Sequence, residues 1–112
     1  MKIKTITTPT FDREFKRLKK KYKSLPDDLL LFEKELTEKP DIGNDLGGNI
    51  RKIRIAIKSK NKGKAGGARI ITYNVLASIS ELKILLITIY DKSEQDNISD
   101  ADIKQIMRDN GF

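Results

Sequence analysis

The chain has 112 residues, 38% of them hydrophobic and 35% charged, and carries a net charge of +7. That length suits one domain, so 1–112 is expected to form a single unit with its own core rather than a disordered chain. Cysteine and histidine are both absent; this excludes disulfides, thiolate nucleophiles, most zinc sites and the usual neutral-pH base, and neither a metal nor a cofactor is expected.

Residues 2–7 alternate polar and apolar around Ile3 and Ile6 and predict a short edge strand. Thr10 can cap a helix with Asp12 and Glu14 in its first turn, and Phe11, Phe15, Leu18 and Tyr22 recur on one face. Its other face, with Arg13, Lys16, Arg17, Lys20, Lys21 and Lys23, reads as solvated surface, with auxiliary phosphate contact as the alternative. Residues 24–27 form a capping box with a shortened acid, opening a second helix over Leu25, Leu29, Phe32 and Leu36 that stops before Pro40. The glycine-rich stretch 41–49 reads as a loop.

Residues 50–58 give the cleanest strand signal: Ile53, Ile55 and Ile57 take one face, and Lys52, Arg54, Ala56 and Lys58 the other. A Lys/Gly loop over 59–67 leads into a strand over 68–76, and the two strands are expected to pair as an antiparallel hairpin, with turn geometry as the reason for Gly66 and Gly67. Residues 82–90 are apolar on both parities, as in a central strand covered on both sides, and alternation does not assign their faces. Ser99 and Asp102 form a capping box, Ile98 and Ile103 a staple, and Ile103, Ile106 and Met107 a stripe ending at Asn110 and Gly111. The expected order is β-α-α-β-β-β-α. This is an α+β fold in which a mainly antiparallel sheet with an N-terminal edge strand packs with a helical hairpin and a C-terminal helix.

The charge is concentrated. Between Asp45 and Glu81 no acid occurs, yet Arg51, Lys52, Arg54, Lys58, Lys60, Lys62, Lys64 and Arg69 do, and the remainder is close to neutral. Such a field attracts polyanions, so nucleic acid is the leading partner. Strand parity sets Lys52 beside Arg54, and a hairpin partner can bring Arg69 to them. Crowded like charges are costly unless an anion neutralises them, which points to a ligand. The Lys/Gly loop does not match a phosphate-binding loop motif.

Four motifs in order, FDREFKRL at 11–18, RKIRIA at 51–56, GGARIITY at 66–73 and IYDK at 89–92, followed by Ser99 opening the last helix, carry a resemblance. The sequence resembles the RelE/ParE superfamily of type II toxin–antitoxin toxins, closest to its RelE/HigB branch. The resemblance implies a ribosome-dependent endonuclease that cuts messenger RNA in the A site by 2′-hydroxyl attack on the adjacent phosphate, without a metal. It matches Lys52 and Arg54 to the family's strand bases and Arg69 to its phosphate-binding arginine, and sets Lys92 near another family cation. Crowded charge favours the neutral amine of Lys52 as proton acceptor, while Arg54 and Arg69 hold the phosphate. The family's C-terminal tyrosine is missing here, which leaves Tyr73, Tyr90 or Lys92 as proton donor. As aromatic strand residues, both tyrosines are more often core than catalytic. Arg51, Lys58, Lys60, Lys62, Lys64 and Tyr73 are the remaining RNA-binding candidates.

The partners so implied are a cognate antitoxin, the ribosome with messenger and ribosomal RNA, and operator DNA only through the antitoxin. No membrane partner is expected, because the longest apolar run is far short of the roughly 20 residues a span requires and the N-terminus lacks a signal-peptide core. A cytoplasmic location follows. Two other readings are a non-catalytic basic module binding nucleic acid or an acidic peptide, and a ParE-like gyrase inhibitor.

Overall fold

A computed structural model describes residues 1–112. Strand β1 (Lys2–Thr7) precedes helices α1 (Pro9–Lys21) and α2 (Leu25–Glu38), strands β2 (Asn44–Gly47) and β3 (Ile50–Ile55), and a 3-10 turn at Lys58–Lys60. Strands β4 (Ala68–Ser78) and β5 (Glu81–Asp91) and helix α3 (Asp100–Asp109) complete the chain. The five strands form one sheet ordered β1-β5-β4-β3-β2, in which β1 runs parallel to β5 at one edge and every other pairing is antiparallel. The fold is α+β as expected, but with five strands and a mixed sheet. The extra strand is β2, read from sequence as loop because Asn44–Gly47 has no alternating apolar residues. It lies wholly exposed, held to β3 by backbone pairing.

The helical hairpin covers one face of the sheet and α3 the other. Phe11, Leu18, Leu25, Phe32 and Leu36 pack against Ile53, Ile55, Ile70, Ile84, Leu86 and Ile89. Ile98 and Ile103 pack against Ile71, Ile87 and Tyr90 on the opposite side. Each fully buried side chain of this size contributes about 1.5–3 kcal/mol. Ile84 and Leu86 share a face with Ile89, so parity changes along β5. The cause is a bulge: Ile71 of β4 sits opposite Thr88, but Thr72 sits opposite Leu86, leaving Ile87 as the extra residue. This is why alternation alone does not assign that strand's faces.

Several local expectations are corrected. The α1 cap is Thr8, whose hydroxyl accepts the Phe11 N–H at 3.0 Å, with Pro9 in the first turn. Thr10 instead exchanges hydrogen bonds with Asn110, joining the start of α1 to the end of α3. Ser24 makes no capping bond to α2; its hydroxyl donates to Asp28 and accepts from the Ser59 N–H, tying the 3-10 turn to that helix. β3 ends at Ile55, short of the expected 58, although Ile57 is still buried. Gly67 is required by close approach and not by a turn, because a Cβ there would stand 2.0 Å from the Ile55 carbonyl oxygen. The α3 cap is as read, with the Asp102 N–H donating to Ser99 Oγ at 3.1 Å and Gly111 at φ +88° beyond its end.

Candidate active site

Sheet register assembles the site. Lys52 and Arg54 lie on the β3 face opposite that of Ile53 and Ile55, while Arg54 is directly across from Arg69 and Arg69 directly across from Tyr90. Opposed residues on antiparallel strands stand roughly 5 Å apart at Cβ, so three strands deliver two guanidinium groups and a phenol to one row. Lys52, Arg54, Arg69, Tyr90 and Lys92 line a single cleft of about 230 Å³ together with Asn44, Asp96 and Asn97. One carboxylate, that of Asp96, faces these four cations.

Each group is held differently. Arg69 is 5% exposed, and its terminal nitrogens donate to the carbonyls of Lys64 (3.1 Å), Ala65 (3.1 Å) and Ala68 (3.2 Å). It thus fixes the loop entering β4 while keeping its full charge, since carbonyls satisfy donors without neutralising them. Arg54 is exposed. Lys52 Nζ donates to Asn97 Oδ1 at 3.2 Å. Lys92 Nζ donates to the Asp96 carboxylate at 2.7 Å and to the Asp96 carbonyl at 2.6 Å, and the bond to the carboxylate holds the Asp96 carboxyl below its ordinary range. Burial raises the Tyr90 hydroxyl above its ordinary pKa, with Arg69 opposing and Asp96 adding to the rise, so the phenol is protonated at neutral pH.

The other candidates lie elsewhere. Lys60 does not line the cleft. Its side chain is 6% exposed under the helical hairpin, donating to Asp91 Oδ1 and Ser93 Oγ at 2.7 Å each and resting 5.3 Å from the Tyr22 ring. Asp91 is fully buried; desolvation pushes its carboxyl up, but Lys60, the Tyr22 hydroxyl and the Ser93 N–H outweigh it and hold the group at about 2. Tyr73 packs against the α3 core edge-on to Phe112, away from the cleft. Arg51 has the parity of Ile53, so it shares that face of β3 and not that of Lys52. Lys58 and Lys62 are exposed beyond the cleft, and Lys64 lies 3.9 Å from Glu35.

A larger groove of about 320 Å³ runs between α2 and the 3-10 turn on the far side of Arg54, but Asp28 and Glu35 there balance Lys58 and Lys64. Arg17 and Lys21 of α1 are also engaged: Arg17 grips Glu94 through two hydrogen bonds of 3.0 and 2.9 Å, and Lys21 reaches the same carboxylate. Asp96 and Asn97 escape a reading from sequence because they lie in an irregular loop some 40 residues from Lys52. Only their position just after IYDK hints at them.

The RelE family model, described as the RelE toxin of the RelE/RelB toxin–antitoxin system, matches residues 10–109. No helix is long and apolar enough to cross a membrane.

Proposed function

The chain belongs to the RelE toxin family, and from that membership we propose that it is a metal-independent endonuclease that cuts messenger RNA in the ribosomal A site. A RelB-type antitoxin is the partner the family implies. The observation that carries the reading is the convergence of Lys52, Arg54, Arg69, Tyr90 and Lys92 in one cleft with a single carboxylate.

In this mechanism the amine of Lys52 takes the proton of a ribose 2′-hydroxyl, and that oxygen forms a bond to the adjacent phosphorus. Arg54 and Arg69 donate to the non-bridging oxygens, where negative charge grows. Arg69 enters preorganised, because three backbone carbonyls already fix its plane. As the bond to the 5′-oxygen breaks, that oxygen takes the proton of the Tyr90 hydroxyl, while Lys92 stabilises the departing charge. The products are a 2′,3′-cyclic phosphate and a 5′-hydroxyl. In this reading the exposed Lys58 and Lys62 follow ribosomal RNA phosphates, and operator DNA is reached only through the antitoxin.

The test is induction in bacteria, with arrest of growth and translated messages cut at A-site codons as the expected result. Lys52→Ala with Arg54→Ala should slow cleavage at least about 100-fold and lift the arrest. Folded protein accumulating while growth and messages stay intact would overturn the reading. Salt-sensitive RNA binding with no new RNA ends would instead identify a binding module, and altered plasmid supercoiling a ParE-like activity.

A further inference from the structure

Two consecutive residues of the 93–98 loop each hold one cleft lysine, by chemically opposite means. Asp96 binds Lys92 with a carboxylate and its own carbonyl, whereas Asn97 binds Lys52 with a neutral amide oxygen. The loop is anchored on every side. Asp91 and Ser93 receive Lys60, Glu94 is gripped by Arg17, Gln95 Nε2 donates to the Asn97 carbonyl, and Ile98 is buried beneath α3. The loop backbone at Asp96 and Asn97 is therefore held in place, although both side chains are exposed.

An anionic partner stabilises an ammonium against losing its proton, and a neutral acceptor does so much less. The groups facing Lys52 point the same way. Arg54 on its own strand, Arg69 from β4 and Lys92 just past the end of β5 are all cationic, and β2 contributes only the uncharged Asn44. Tyr90 is protonated, and the Asp96 charge is engaged by Lys92. In the adjoining groove Glu35 and Lys64 offset one another.

We propose that Asn97 is a positioning residue that holds Lys52 in the cleft through a neutral acceptor, leaving its amine free to accept a proton, and that Asp96 instead pairs with Lys92 through its carboxylate. The inference rests on Lys52 being the proton acceptor of the cleavage reaction. It gives the two lysines separate tasks that their own strands do not distinguish, and it places the distinction in the loop.

The test compares the full-length wild type with Asn97→Asp, Asn97→Ala, Asn97→Gln and Asp96→Asn. Lysine titration is followed by NMR of isotope-labelled side chains, and cleavage by single-turnover assays on ribosome complexes across pH. Asn97→Asp should move the Lys52 titration to higher pH by about one unit and shift the acidic limb of the cleavage profile with it, lowering the neutral-pH rate about tenfold. Asn97→Ala should lower the rate without that shift, and Asn97→Gln should recover part of it. Asp96→Asn should move the Lys92 titration downward and leave that of Lys52 in place. A Lys52 titration unmoved by Asn97→Asp overturns the inference, as does a wild-type cleavage profile in that variant. If the wild type does not cleave at all, the functional reading falls first, and the Lys52 titration still decides whether Asn97 governs that amine.

Discussion

At the end of β5 three consecutive residues split between two environments: Tyr90 and Lys92 face the cleft, and Asp91 between them faces the helical hairpin. Behind the sheet Lys60 is sealed from water and meets a buried carboxylate at 2.7 Å. In front, Lys52 meets an amide oxygen, Arg69 meets backbone carbonyls and Arg54 is exposed beside them, while the nearby carboxylate of Asp96 is taken by Lys92. A buried cation must be paired, because desolvation costs more than its other interactions return. A solvent-facing cation can stay unpaired, at a small cost in repulsion, and await an anion. The acid-free segment thus holds two populations of charge, one paired with carboxylates and one without a carboxylate partner.

The contrast breaks most visibly at Asp91. Asp91→Asn leaves the Lys60 ammonium buried without its counter-charge, and chemical denaturation should show a loss of about 3–5 kcal/mol. The same pair has an acid signature. The folded carboxyl sits at about 2, below its ordinary 3.8, so its contribution is complete above about pH 4 and fades as pH falls through about 2, a difference of about 2 kcal/mol. Asp91→Asn should remove that part of the acid slope. A cost for Asp91→Asn no larger than that of removing Lys52 would erase the distinction between the two sides.

What sequence can reveal follows the same division. The alternation of isoleucines and cations in β3 is a local pattern, so the faces carrying Ile53 and Lys52 are legible directly. So is the Ser99 cap. Lys60 looks like its neighbours because a run of lysines carries no information about burial; its partner Asp91 lies far along the chain and belongs to another motif. The bulge at Ile87 defeats parity because a single extra residue reverses every later side chain. Asp96 and Asn97 are legible only once β5 has been placed beside β4 and β3, since loop residues carry no periodicity of their own.

Arg69 shares a feature with each population and sharpens the comparison. It is buried like Lys60, but its partners are carbonyls and its charge remains directed at the cleft. Arg69→Ala should therefore register on both scales, costing about 1 kcal/mol through the released Lys64, Ala65 and Ala68 carbonyls and abolishing cleavage as well. Arg69→Lys, which keeps the charge but not the planar fork, should recover less cleavage than stability. Loss of cleavage with no change in stability would place Arg69 wholly with the cleft cations.

The smallest stability change is expected where the functional change is among the largest. Lys52→Ala and Arg54→Ala remove side chains that are at least partly exposed, so the folded state should shift by no more than about 0.5 kcal/mol. The sign should favour the variants slightly at low salt, where relief of repulsion is least screened. RNA affinity should fall in the same proteins, and its logarithmic salt slope should drop by about 0.7 for each single-strand phosphate that is no longer neutralised. A mutation that leaves stability intact while weakening anion binding marks a charge retained for a ligand. A destabilisation of about 2 kcal/mol, well beyond the usual range for surface substitutions, would mark these cations as structural, like Lys60, and the cleft would then no longer be set apart from the back of the sheet by free charge.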